Sequence, residues 1–310
     1  MKNLLCLFAV LAIAVLPAFS AIAQDEAESA PAPVAADTGL VADTISGTVT
    51  MGGEETALTH GCALRLDNEE DYMDGPMLLV LLADQEVSPD LLKSPTLADL
   101  KQAVQDRQLR FAFFSIDLSK EEKEVNGMAM AGSPEMPMPA SFTLTDAASG
   151  LSELTITDER VQASIDRAQV IGELQPVNPT EAPFAMKTTF DLAVSANDPV
   201  TAHLTGEEAV NSPQATAFMG YFDALRNADM EALAKVTSGD EAEMYGQIIA
   251  QVGEDAFKER VAQGLPDAAT FKSQISEVFV RGTRALLMLS VDGQRAPLPL
   301  VQEGEAWKVR

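Results

Sequence analysis

Methionine is the residue type whose spacing in this chain is most unusual. Gly127-Met128-Ala129-Met130-Ala131-Gly132-Ser133-Pro134-Glu135-Met136-Pro137-Met138-Pro139 holds two Met-x-Met pairs in a stretch rich in Gly and Pro. Thioether sulfurs are soft ligands that select Cu(I) over zinc or calcium. Met128, Met130, Met136 and Met138 are therefore candidate metal ligands on an expected loop, with Met73, Met77 and His60 joining them if the fold brings them near. Methionine also adapts to irregular apolar surfaces, so an apolar lid or a partner-contact patch would have the same composition. Cys62, in Thr59-His60-Gly61-Cys62-Ala63, reads either as a thiol or metal site or as a buried strand cysteine. His60 and Cys62 are two apart and share a strand face, but two ligands fall short of the four that zinc takes. Asp67-Asn68-Glu69-Glu70-Asp71 with Asp74-Gly75 is dense in oxygen ligands. It lacks the twelve-residue calcium loop with its terminal Glu and reads as a solvated loop. No P-loop, Gly-x-Ser-x-Gly or His-Glu-x-x-His motif occurs, and the residues assign no catalytic group and no cofactor.

The N-terminus carries the location. Met1-Lys2-Asn3 gives one positive charge, Leu4 to Leu16 is almost unbroken apolar sequence, and Ala21-Ile22-Ala23 is a small-x-small cleavage site. This is the pattern of a secretory signal peptide over 1–23, too short for a membrane span, with cleavage after Ala23 into the periplasm or medium. Cys6 lies too early for lipid attachment, so a product without a stable membrane anchor is expected. The net charge is −26 at pH 7, and the leader removes only one cation, Lys2, from that balance. Such a charge disfavours nucleic acid, whose backbone needs Lys and Arg to displace its counterions, and it disfavours anionic membrane surfaces. Cys62 is then the single cysteine left, so no internal disulfide is available.

Residues 24–42 are Ala, Pro and acid with almost nothing to bury, and read as a disordered leader. From 43 to 202 the texture is β-rich. Thr44–Thr50 alternates as a strand, Met51-Gly52-Gly53-Glu54 turns, and Glu55–Leu66 is the expected hairpin partner. Met77–Leu82 is a continuous apolar run suited to a buried strand. Further strands are expected at Arg110–Leu118, Ser141–Thr145, Val161–Arg167, Val170–Gln175 and Ala185–Ser195. One inserted helix is expected after Thr96, with Leu97, Leu100 and Val104 on one face. About eight strands with one helix predict a β-sandwich or partly open barrel.

From 205 to 310 the period switches to helical. Ser212-Pro213 opens a helix carrying Ala217, Phe218, Tyr221, Phe222 and Leu225. Asp229 caps a second, with Met230, Leu233 and Val236, and a third starts at Asp240, with Gly253 and Gly264 as breakers. Strands are expected at Gln274–Arg281, Arg284–Val291, Pro297–Gln302 and Trp307–Val309, turning at Gly282, Asp292-Gly293 and Glu303-Gly304. The predicted class is α+β in two domains, 43–202 and 205–310.

Phe218-Met219-Gly220-Tyr221-Phe222-Asp223-Ala224-Leu225-Arg226-Asn227-Ala228-Asp229 and Met230-Glu231-Ala232-Leu233 resemble the first two helices of the NTF2-like superfamily of cone-shaped α+β domains. Leu300-Val301-Gln302-Glu303-Gly304-Glu305-Ala306-Trp307-Lys308-Val309 resembles its closing hairpin. The closest flavour is the small domain of unknown function in bacterial envelope and secreted proteins, and the match covers the last third of the chain. The resemblance implies a cone of helices on a curved antiparallel sheet, with Phe218, Tyr221, Phe222, Tyr245 and Trp307 as pocket candidates. Ketosteroid isomerases share this fold and use a helix-one tyrosine as an oxyanion donor; Tyr221 stands in that place. The place of their general base falls close to Tyr245 with no matching Asp, and the closing strands carry no buried acid, which leaves that mechanism without a proton path. More faintly, Ser46-Gly47-Thr48-Val49-Thr50, Leu58–Ala63 and Leu82-Ala83-Asp84 resemble a β domain of secreted bacterial proteins to which no activity attaches.

The expectation is an exported, non-catalytic protein that binds a small apolar ligand or an envelope protein, with a homodimer through the NTF2-like sheet. The alternatives are Cu(I) handling by the methionines and an enzyme built around Tyr221.

Overall fold

The computed structural model describes residues 43–51, 54–68, 75–94, 97–133, 136–170, 184–239 and 241–310. The expected leader and acidic stretch at 1–42, Thr96, Met73 and most of the acid cluster at 69–74 lie outside the described residues. Ten strands form one curled, half-barrel sheet: β1 (Thr44–Met51), β2 (Glu54–Ala57), β3 (His60–Leu66), β4 (Met77–Ala83), β5 (Phe111–Asp117), β6 (Val125–Ser133), β7 (Met136–Leu144), β8 (Leu151–Ile156), β9 (Arg160–Val170) and β10 (Phe184–Ala196). A separate antiparallel sheet runs in chain order through β11 (Ala202–Thr205), β12 (Ile275–Arg281), β13 (Arg284–Val291), β14 (Gln294–Glu303) and β15 (Ala306–Val309). The protein is mixed α+β, mostly sheet, with seven α-helices among the described residues.

The long strand β10 holds the curl. Residues 184–191 pair antiparallel with β1 and 184–193 with β9, whereas Val194–Ala196 pair parallel with Ala63–Arg65 of β3. One strand thus belongs to both arms of the sheet, and the arms close on a shared core that includes Val80, Phe114, Val125, Val161, Ile165 and Phe190. At Gly47 the β1 and β10 backbones come so close that a Cβ would lie 2.3 Å from the Lys187 carbonyl oxygen and 2.4 Å from Thr188 Cα. Only glycine fits there.

The unbroken apolar run of β4 has a simple cause. Its strand is buried on both faces. Leu78, Val80 and Leu82 point into the shared core, while Leu79, Leu81 and Ala83 pack on a second layer. That layer is a 3₁₀ turn at Pro89–Leu92 and helix α1 (Ala98–Arg107), which contribute Leu92, Leu100 and Ala103. Each of these fully buried leucines contributes about 1.5–3 kcal/mol. The inserted helix falls where the apolar spacing placed it, but its N-cap residue is Leu97 in the left-handed region, with no side-chain cap bond.

Two expectations are corrected. Glu55–Leu66 is not one hairpin partner of β1. Of that stretch only β2 pairs with β1, and after buried Leu58 the chain crosses to the other arm as β3. The methionine stretch is not a loop but the β6–β7 hairpin, with Ser133 opposite Met136 and Met130 opposite Pro139. Prolines disfavour a central strand, but β7 is an edge strand, and an edge tolerates the missing donors of Pro137 and Pro139. Strands β8 and β11 were not expected; β11 is short with alternating burial, and the pattern of β8 is broken by a register shift between Ser152 and Thr155.

In the C-terminal part, α2 (Gly206–Val210) leads to α3 (Pro213–Asn227), α4 (Met230–Val236), α5 (Glu241–Val252), α6 (Glu254–Gly264) and α7 (Ala268–Gln274). Ser212 Oγ accepts from the Ala215 amide at 3.1 Å with Pro213 at the first position, as the sequence predicts. Asp229 Oδ1 accepts from the Ala232 amide at 2.9 Å and caps α4. Asp292 (φ 52°) and Gly293 (φ 78°) form the two-residue turn between β13 and β14, a hairpin geometry that needs two positive φ angles. The helices cover one face of the second sheet, burying Phe218, Leu225 and Phe271 with Val278, Leu287 and Leu300.

Candidate functional site: a tyrosine pair and an inter-sheet cleft

Four of the five predicted pocket residues converge. Phe218, Tyr221 and Phe222 lie one turn apart on the buried face of α3, and Tyr245 faces them from α5. The Tyr221 and Tyr245 hydroxyls are 3.1 Å apart and both residues are buried. Trp307 sits on β15 opposite Gln302, half-buried against the same core. The rings fill the interior against one another. Phe222 lies 4.0 Å from Phe271 and 4.7 Å from Phe218, centroid to centroid.

Sequence reasoning missed Glu241. It stands one helical turn before Tyr245 on α5, so the i, i+4 spacing was the available signal. Its Oε2 is buried with no hydrogen-bond partner among the described residues. Burial raises its carboxyl from the ordinary 4.5 to about 7. The same desolvation holds Tyr221 well above the usual phenol range and Tyr245 at about 12, with the Glu241 charge adding to both. The group that changes charge near neutral pH is therefore the carboxyl, and the phenols stay neutral donors.

The remaining candidates separate. Cys62 is buried on β3, and burial, reinforced by Asp43 and Asp90, pushes its thiol up to about 12. A thiol held neutral is a poor nucleophile and a poor metal ligand. His60 is exposed and bonds Thr59 at 2.9 Å. Met128 is half-buried on β6 against the α1 layer; the side chains of Met130, Met136 and Met138 lie outside the described residues. Among the described residues no cluster of three His, Cys, Asp or Glu side chains is placed to hold a metal.

The cleft lies elsewhere, between the Pro89–Asp99 corner of the first sheet and the outer face of the second. It encloses about 40 Å³. Phe279 on β12, Leu286 on β13 and Pro299 on β14 form its apolar wall, with Leu66 opposite. Lys93 bonds both carboxylate oxygens of Asp198 at 2.9 Å and Asp90 at 2.8 Å. Arg281 donates to the Asp198 carbonyl. Asp99, only 12 % exposed on α1, pairs with Arg310 and, at 3.6 Å, with Arg284 Nη2. Arg281 and Arg284 face each other directly across the β12–β13 hairpin, a like-charge pair that needs anions to be stable. Two arginines flanking a glycine turn in so acidic a chain were the sequence signal for this cleft.

No family model, no curated protein and no solved structure matches this chain.

Proposed function

We propose that this is an exported, non-catalytic binding protein of the bacterial envelope. In this reading the β-rich part over 43–202 and an NTF2-like domain over 205–310 together seat a small ligand in the cleft between their sheets. The observation that carries it is the cleft itself: an apolar wall of Phe279, Leu286 and Pro299 facing a ring of cations. Concave, mostly apolar sites with a few convergent polar groups are the usual form of a ligand site. In the helical interior the rings of Phe218, Phe222 and Phe271 pack against one another. Export rests on the 1–23 pattern.

The test is native mass spectrometry of the mature chain recovered from its own periplasm or medium. A mass beginning at Gln24 with a stoichiometric organic adduct, lost on Leu286→Asp, supports the reading. A clean chain mass, or an adduct indifferent to that substitution, overturns the cleft as a seat. The same spectrum reads the homodimer expected through the second sheet.

A second reading is favoured by Glu241 alone. A carboxyl near neutrality beside a buried hydroxyl pair is the equipment of a general acid–base centre. Proton exchange on a bound ketone, lost in Glu241→Gln and Tyr221→Phe alike, is its test.

A further inference from the structure

We infer that the cleft recognises a short aliphatic monocarboxylate, whose oxygen accepts a hydrogen bond from Arg284 Nη1. The inference rests on the reading of the cleft as a ligand seat. A guanidinium is always charged and carries five donors in a fixed fork. Arg284 Nη1 is buried and has no partner among the described residues, while Nη2 meets Asp99 only at 3.6 Å. A buried charged donor without an acceptor is costly, and an anion delivered into the cleft supplies one.

Charge and volume narrow the class. The lining brings Lys93, Arg281, Arg284 and Arg310 against the carboxylates of Asp99 and Asp198, with Asp90 as a third behind Lys93. Four cationic side chains thus stand against two lining carboxylates, with Asp90 behind Lys93, in a chain whose net charge is −26. About 40 Å³ is room for about three water-sized groups, which matches a carboxyl head with its first carbons. Phe279 and Leu286 then receive the alkyl body. Among the lining cations Arg284 is the one whose buried donor lacks a partner among the described residues, while Lys93 is bonded to two acids and Arg310 to one. Asp99 is the built-in competitor. Its carboxylate stands on the arginines that the ligand would use.

The experiment is calorimetric titration of the mature full chain with butyrate, butyramide and inorganic phosphate at pH 7, with saturation-transfer NMR for weak binding. Saturable butyrate binding is expected, weakened tenfold or more in Arg284→Gln and strengthened several-fold in Asp99→Asn. Butyramide, of equal shape without charge, is expected to bind at least tenfold more weakly. The Asp99→Asn gain keeps the test decisive if Arg284→Gln fails to fold. Equal binding of butyramide and butyrate, with both lost in Leu286→Asp, overturns the carboxylate assignment and leaves the seat standing. Phosphate binding in preference to butyrate overturns the aliphatic-carboxylate assignment. No binding by any of the three overturns the carboxylate assignment, and the native-mass adduct then decides the seat separately.

Discussion

Glu241 makes the sharpest statement at the scale of one residue. Its folded carboxyl titrates at about 7 against an ordinary 4.5, so the folded chain holds a proton that the unfolded chain releases. The sign follows. Stability from this group is fully present below about pH 4.5 and is lost as pH rises through about 7, after which it is flat. The loss is on the order of 3 kcal/mol. Glu241→Gln should therefore raise stability above pH 7 by on the order of 2 kcal/mol and flatten the curve between pH 4.5 and 7. Urea unfolding across that range checks it; an unchanged slope would refute the buried, unpartnered carboxyl. The hydroxyl pair gives a second outcome. Tyr221→Phe leaves the Tyr245 hydroxyl buried without its partner and should cost about 1–2 kcal/mol, with Tyr245→Phe similar and the double variant less than their sum. At Cys62 the raised thiol and the burial predict no labelling by a thiol reagent in the native state, and full labelling in denaturant.

At the scale of the element, β1 depends on Gly47. Gly47→Ala puts a methyl group into the β10 backbone and is expected to destabilise by about 3 kcal/mol, read as a fall in the unfolding midpoint, whereas Thr48→Ala on the same strand costs about 1 kcal/mol or less. Local signals of this kind explain what the sequence made legible. Ser212-Pro213, Asp229 and Asp292-Gly293 act on their own neighbours, and the structure puts a helix start, a cap and a hairpin turn at those positions. The double-sided burial of β4 was legible too, because a strand with two dry faces has no polar position to show. What failed is what depends on distant chain. The β2–β3 break is set by which arm each strand joins, and β3 pairs with residues some 130 positions later. The Met-Pro stretch reads as loop because proline opposes strand, and only the edge position of β7 removes that objection. The cleft shows in the sequence only as the Arg281 and Arg284 pair, for the same reason: Asp99, Asp198 and Arg284 are far apart in sequence, and Glu241 carries no local mark beyond its spacing from Tyr245.

At the scale of the whole molecule, ion pairs tie the two sheets. Asp99 on α1 reaches Arg284 and Arg310, and Asp198 holds Lys93 while its carbonyl accepts from Arg281. Buried partners are costly to strand, since removing one leaves the other charge unpaired. Asp99→Ala should lower the thermal midpoint and sharpen susceptibility to limited proteolysis around 197–202, the segment joining the sheets. Unaltered proteolysis would mean that the network carries none of the coupling.

The strand shared by both arms also sets an order of events in time. β10 begins at Phe184, yet its neighbours include β1 from Thr44 and β3 from His60. No closed sheet exists until more than half of the chain is present, because both early strands await the same late partner. Pairings so distant in sequence delay the rate-limiting search, placing folding in the slow, millisecond-to-second range of sheet proteins. Until then β1, β3 and β9 each offer an open edge to any other chain. A fragment ending before Phe184 should therefore aggregate where the full chain stays soluble, and the time between emergence of β1 and arrival of β10 is when this protein most needs a chaperone.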